Sequence, residues 1–117
     1  MSYTPSFEEE RDRLQKLMLE KGPRATKRFF NLDQAAYRDG ALTSRTKELL
    51  GLVASTVLRC DDCIHYHLNR TLEQGYSHDE IREALEVALV VGGSVTIPHV
   101  RRAYGILEQN EDGSGEE

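Results

Sequence analysis

The sequence predicts an all-α fold of about six helices. Apolar residues recur at helical spacing, most clearly Ile81, Ala84, Leu85, Ala88 and Leu89. Helix starts and stops bracket such stretches: Ser77-His78-Asp79-Glu80 has the layout of a capping box, and glycines at 22, 40, 75 and 92–93 punctuate the chain. No pair of alternating apolar–polar runs suggests a hairpin.

Taken in order, residues 1–5 read as a loose arm. Ser6 can cap a first helix, with Glu8, Glu9 and Glu10 at its positive end and Phe7, Leu14, Leu17 and Met18 as its apolar stripe. Lys21-Gly22-Pro23 stops it, and Pro23 suits the first turn of a second helix over roughly 23–38. Thr43 or Ser44 caps a third helix running to about Leu58; it is apolar nearly all round and therefore expected to be central. A fourth is expected from about Asp61 to Gln74, stopped by Gly75, and a fifth from the capping box to Val91. Gly92-Gly93 breaks the chain before a sixth, roughly 95–109, with Val95, Ile97, Val100, Ala103, Ile106 and Leu107 inward and Pro98 in its first turn. Residues 1–109 are expected to form one domain, and 110–117 a disordered acidic tail.

Composition narrows the function classes. The net charge is −5, charged residues make up 30% of the chain, and no basic stripe interleaves with aromatics, which argues against nucleic acid as a partner. No apolar run has the length of a membrane span, and the N-terminus lacks the basic-then-apolar layout of a signal peptide, so a cytoplasmic protein is expected. In that compartment two cysteines in a C-x-x-C point to redox or metal chemistry rather than a structural staple.

That pair lies in Cys60-Asp61-Asp62-Cys63-Ile64-His65-Tyr66-His67. Cys60, Cys63 and His67 fall at i, i+3 and i+7, on one face of the expected fourth helix. Thiol pKa values fall at helix N-termini and in C-x-x-C motifs. Asp61 and Asp62 act the other way, because a carboxylate disfavours a second negative charge nearby, so a local base becomes useful. His67, one turn after Cys63, is the candidate base, directly or through one water. Its other nitrogen needs an orienting group, and Glu48, on the apolar third helix among Leu52 and Ser55, needs a partner. The residues thus suggest a relay from Glu48 to His67 to Cys63, with Cys60 closing a disulfide.

The spacing Glu48-x11-Cys60-x2-Cys63-x3-His67 resembles the signature of the alkylhydroperoxidase AhpD-like branch of the carboxymuconolactone decarboxylase family, and the likeness extends over roughly Leu42 to Leu107. The resemblance implies an all-helical domain that assembles as a homotrimer or homohexamer. It implies a hydroperoxide substrate and an external dithiol or lipoyl-type reductant. Carried over by position, Cys63 would be oxidised to a sulfenic acid, Cys60 would be its proton-donating and resolving partner, His67 the relay base and Glu48 the carboxylate behind it. No cofactor and no metal are expected on this reading.

Other readings stay open at the level of the residues. A zinc site could use Cys60, Cys63 and His67 with a fourth ligand from His65, Asp61, Glu48 or a neighbouring subunit. A decarboxylase-like enzyme could use Glu48 and His67 without the thiols, and a helical oligomer could sense redox state without turnover. His65 is expected at a surface or interface, His78 in the capping box, and His99 packing at a helix start. Val57, Val90 and Val91 extend beyond one helix face, which favours self-association.

Overall fold

The computed structural model describes residues 6–114, and the expected arm at 1–5 lies outside them. Among the described residues there are six α-helices and no strand: α1 (Phe7–Lys21), α2 (Arg24–Ala36), α3 (Ser44–Val57), α4 (Asp61–Glu73), α5 (His78–Gly92) and α6 (Ile97–Ser114), with a 3-10 turn at Ser94–Thr96 before α6. The chain divides into two compact units, Met1–Asp39 and Gly40–Glu117.

The first unit holds α1 and α2. Ser6 and Glu9 form a reciprocal capping box, each side chain bonding the other's backbone N–H, and Glu8, Glu9 and Glu10 occupy the first turn. Neither helix has a buried residue; Leu14, Leu17, Met18, Phe29 and Leu32 are all exposed.

The second unit holds the core. Leu52, Ile64, Leu68, Ile81, Leu85, Ala103 and Leu107 are buried together, one or two from each of α3 to α6. On α3 the buried positions are Glu48, Leu52, Ser55 and Thr56, a stripe at i, i+4, i+7 and i+8. The helix packs on both α4 and α5, the central place expected for it. Thr56 and Thr71 are buried within this core, and their hydroxyls donate to the carbonyls of Leu52 (2.8 Å) and Leu68 (2.7 Å). At one end, the Arg45 guanidinium lies 3.7 Å over the Tyr76 ring and its Nε donates to Gln74 O at 3.0 Å, which ties the start of α3 to the end of α4.

The same closing device ends α3 and α4. After α4, Gly75 at φ 91 lets Gly75 N–H reach Leu72 O (3.0 Å) and Tyr76 N–H reach Thr71 O (3.2 Å), a Schellman motif. After α3, Arg59 N–H reaches Thr56 O (3.0 Å) and Cys60 N–H reaches Ser55 O (3.1 Å) in the same pattern. Here the left-handed residue is Arg59, at φ 61, where a side chain costs roughly 1–2 kcal/mol relative to the right-handed region. Cys60 is therefore both the last residue of that motif and the N-cap of α4. No slack separates the two helices that carry the site.

Two expectations about the sixth helix need correction. Val95 and Ile97 are exposed, at 55% and 41%, rather than inward. Thr96 is buried in their place: with Val100, Ala103 and Leu107 it stands at i, i+4, i+7 and i+11, and Val95 and Ile97 fall about 100° to either side of that stripe. The tail expected from Asn110 onward is helical as far as Ser114, with Asn110 Nδ2 donating to Ile106 O at 2.9 Å; residues 115–117 lie outside the described residues. The Gly92-Gly93 break has two distinct causes. A Cβ on Gly92 would meet Thr96 Cγ2 at 2.5 Å, and Gly93 adopts φ 82.

Candidate active site

The N-terminal turn of α4 presents the two thiols. Cys60, as N-cap, accepts a hydrogen bond from Cys63 N–H on its Sγ at 3.4 Å. An anion at this position is favoured by the helix dipole and by the unpaired N–H groups of the first turn. The Cys60 and Cys63 sulfurs lie 2.6 Å apart, both as free thiols. A disulfide between them needs only small side-chain rotations. Cys63 is exposed and Cys60 partly covered, so Cys63 is the thiol that a solute meets first.

One turn beyond Cys63 on α4 stands the imidazole of His67, with 12% of its side chain exposed. Its Nδ1 lies 2.9 Å from Oε1 of Glu48, whose side chain is 7% exposed. An ionised carboxylate only accepts, so Nδ1 donates to it and Nε2 becomes the basic nitrogen of the neutral ring. Tyr66 packs edge-on against the same ring, with centroids 5.1 Å apart. The structure thus brings the four residues singled out in the sequence together as two contacting pairs, Cys60 with Cys63 and Glu48 with His67, mounted on α3 and α4.

A third group next to the thiols was not foreseen as such. Asp61, the first residue of α4, is clasped by two side chains of α6: His99 Nδ1 lies 2.7 Å from Oδ1, and Arg102 Nη1 donates to Oδ2 at 2.9 Å. The His99 hydrogen bond, reinforced by the Arg102 guanidinium and opposed by slight burial, holds the Asp61 carboxyl below the ordinary carboxylate range. The sequence signal was the His99–Arg102 spacing of three at the start of a helix, which puts both on one face. Nothing in the sequence said which face of which helix they would meet. Among the described residues no group of three or more His, Cys, Asp or Glu side chains is placed to hold a metal ion. Nor is any helix there long and apolar enough to cross a membrane.

The model of the carboxymuconolactone decarboxylase family matches residues 23–107, which takes in α2 to α5 and most of α6. The chain belongs to the carboxymuconolactone decarboxylase family. A crystal structure of a Thermotoga maritima protein superposes with a TM-score of 0.89 at 58% identity, covering 95% of this chain and 97% of that one. Another from the same organism, of a carboxymuconolactone decarboxylase family protein described in connection with an antioxidative response, gives 0.85 at 57% identity, covering 95% and 96%. An uncharacterised protein of the cox locus in Paracoccus denitrificans is 30% identical over 81 residues, 69% of this chain and 73% of its own length. The six-helix, strand-free architecture is the one these carboxymuconolactone decarboxylase family structures have.

Proposed function

We propose that this chain is a thiol peroxidase and disulfide oxidoreductase of the AhpD-like kind, reducing hydroperoxides through Cys60 and Cys63. The observation that carries the reading is the pair of free thiols in contact at the N-terminus of α4, on the helix that also bears the Glu48-bonded His67. The antioxidative response named for the Thermotoga maritima protein supports it.

His67 takes the Cys63 proton, directly or through one water, and Glu48 stabilises the imidazolium that results. Cys63 thiolate attacks the O–O bond of the hydroperoxide. The sulfur becomes a sulfenic acid, and the leaving alkoxide takes the proton from His67 and departs as the alcohol. Cys60 attacks the oxidised sulfur, water leaves, and a Cys60–Cys63 disulfide forms. An external dithiol, such as a lipoyl-type reductant, then exchanges with the disulfide and carries two electrons and two protons to the pair. No cofactor enters any step.

Mild hydroperoxide treatment of the reduced protein should lower the mass of the peptide carrying Cys60 and Cys63 by two hydrogens, and dithiol should reverse it. An unchanged mass, or loss of both thiols to higher oxides without a disulfide, would sink the redox reading. A decarboxylase-like enzyme would instead rest on Glu48 and His67 alone, and its activity would survive thiol alkylation.

The same reading places the chain in a homo-oligomer, a trimer or hexamer, working in the cytoplasm. Val87, Val90 and Val91 on α5 are exposed, as are Leu14, Leu17, Phe29 and Leu32 on α1 and α2. So much apolar side chain in the open is more than a small monomer keeps in water. Sedimentation should give three or six times 13.3 kDa; a monomeric mass would refute it.

A further inference from the structure

We propose that His99 and Arg102 are positioning residues of the thiol pair: by clasping Asp61 from α6 they offset the carboxylate that directly follows Cys60 in the chain and fix the first turn of α4 on which both sulfurs stand. The inference rests on the reading of Cys60 and Cys63 as the reactive pair.

The physical problem is local. The turn that presents the thiols contains two adjacent carboxylates, Asp61 and Asp62. A unit negative charge within one helical turn of a thiol disfavours the thiolate. The structure treats the carboxylate next to Cys60 specifically. Each oxygen of Asp61 has its own partner, Oδ1 with His99 and Oδ2 with Arg102, at 2.7 and 2.9 Å. Arg102 Nη1 also lies 3.4 Å from His99 Nδ1, so the two α6 side chains form one clasp. The Arg102 charge is permanent, so its part of the offset to Asp61 remains whatever the protonation state of His99.

The clasp has a mechanical side as well. Asp61 is the first residue of α4, one position after the N-cap. The turn before it is closed by the left-handed Arg59. Drawing Asp61 towards α6 sets the direction in which α4 leaves that turn, and with it the separation of the two sulfurs. The charged and titratable groups around the thiols are then Asp61 and Asp62 on the same turn, Arg59 before it, Glu48 from α3 through His67, and His99 and Arg102 from α6.

The test is the pH profile of iodoacetamide alkylation of the reduced protein, without peroxide, so that it reads thiol acidity whether or not hydroperoxide is the substrate. Arg102→Ala should move the profile to higher pH and slow alkylation at pH 7 by about three- to tenfold, the size expected for one uncompensated charge near the surface. Arg102→Lys should recover most of the rate, and His99→Ala should move the profile in the same direction as Arg102→Ala. Asp61→Asn should move it the other way. In the Asp61→Asn background Arg102→Ala should have little further effect, since position 61 then carries no charge for Arg102 to offset. An unshifted profile for Arg102→Ala would overturn the inference. So would an equal slowing in both backgrounds, which would mean that Arg102 acts on the thiols without Asp61.

Discussion

Replacing Cys63 by serine should abolish hydroperoxide turnover, with a loss of about a thousandfold or more, while the helical fold survives. The hydroxyl that replaces the thiol is a far weaker nucleophile at this pH, and no sulfenic acid can form at position 63. Cys60 cannot simply take over. It is the partly covered member of the pair, and its sulfur already accepts the Cys63 N–H as the N-cap of α4. Cys60→Ser should fail differently. Cys63 would still consume one equivalent of peroxide, but its sulfenic acid would have no partner at 2.6 Å to condense with. Such a variant should show a single burst and then accumulate over-oxidised Cys63. Full steady-state activity in Cys63→Ser would assign the attack to another group. Equal defects in both variants, with no burst in Cys60→Ser, would remove the division of labour between the two thiols. Serine at 63 is exposed and near in size to the thiol it replaces, so stability should change little.

Much of this arrangement is legible from local rules. Ser77 and Glu80 form the reciprocal capping box that their spacing announces, and Thr43 caps α3 through Thr46 N–H. Glu48 meets His67 because an ionisable group on a buried helix face has few ways to be satisfied, and the facing helix supplied a nitrogen. These inferences used short-range spacing or the cost of burial, both of which a sequence displays. The Asp61 clasp uses neither. Its partners are 38 and 41 positions away, and which faces of α4 and α6 meet is decided by packing of the core around Leu68, Ala103 and Leu107. Asp61 and Asp62 looked in the sequence like a uniform burden on the thiols; the fold singles out Asp61 and answers its charge from α6.

The inward stripe of α6 is headed by Thr96, which stands with Val100, Ala103 and Leu107 at i, i+4, i+7 and i+11; a pattern of apolar residues does not display a buried threonine, and Val95 and Ile97 flank the stripe instead of joining it. Arg59 was invisible for another reason. Glycine is the residue that advertises a left-handed stop, as Gly75 does, and an arginine forced into the same conformation gives no such sign.

The second large effect is expected at the Glu48–His67 pair, where stability and chemistry can be separated. Glu48→Ala should destabilise the fold by about 1–3 kcal/mol, because it leaves the Nδ1 side of a mostly buried imidazole without an acceptor and opens a small void. That loss alone would say nothing about catalysis. Glu48→Gln is the informative change. The amide keeps the volume and can still accept from Nδ1, but it lacks the charge that stabilises an imidazolium. Thiol deprotonation through His67 should therefore become harder, so peroxide reduction should fall by about ten- to a hundredfold and the thiol alkylation profile should move to higher pH. His67→Ala should produce a shift in the same direction and of at least the same size. If the two residues act as one relay, the double variant Glu48→Gln/His67→Ala should be no slower than His67→Ala alone. Additive losses would mean that Glu48 reaches the thiols by a route other than the imidazole. An unshifted profile in His67→Ala would leave the 2.9 Å Glu48–His67 contact as a structural pair of the core and transfer the task of activating Cys63 to the helix N-terminus.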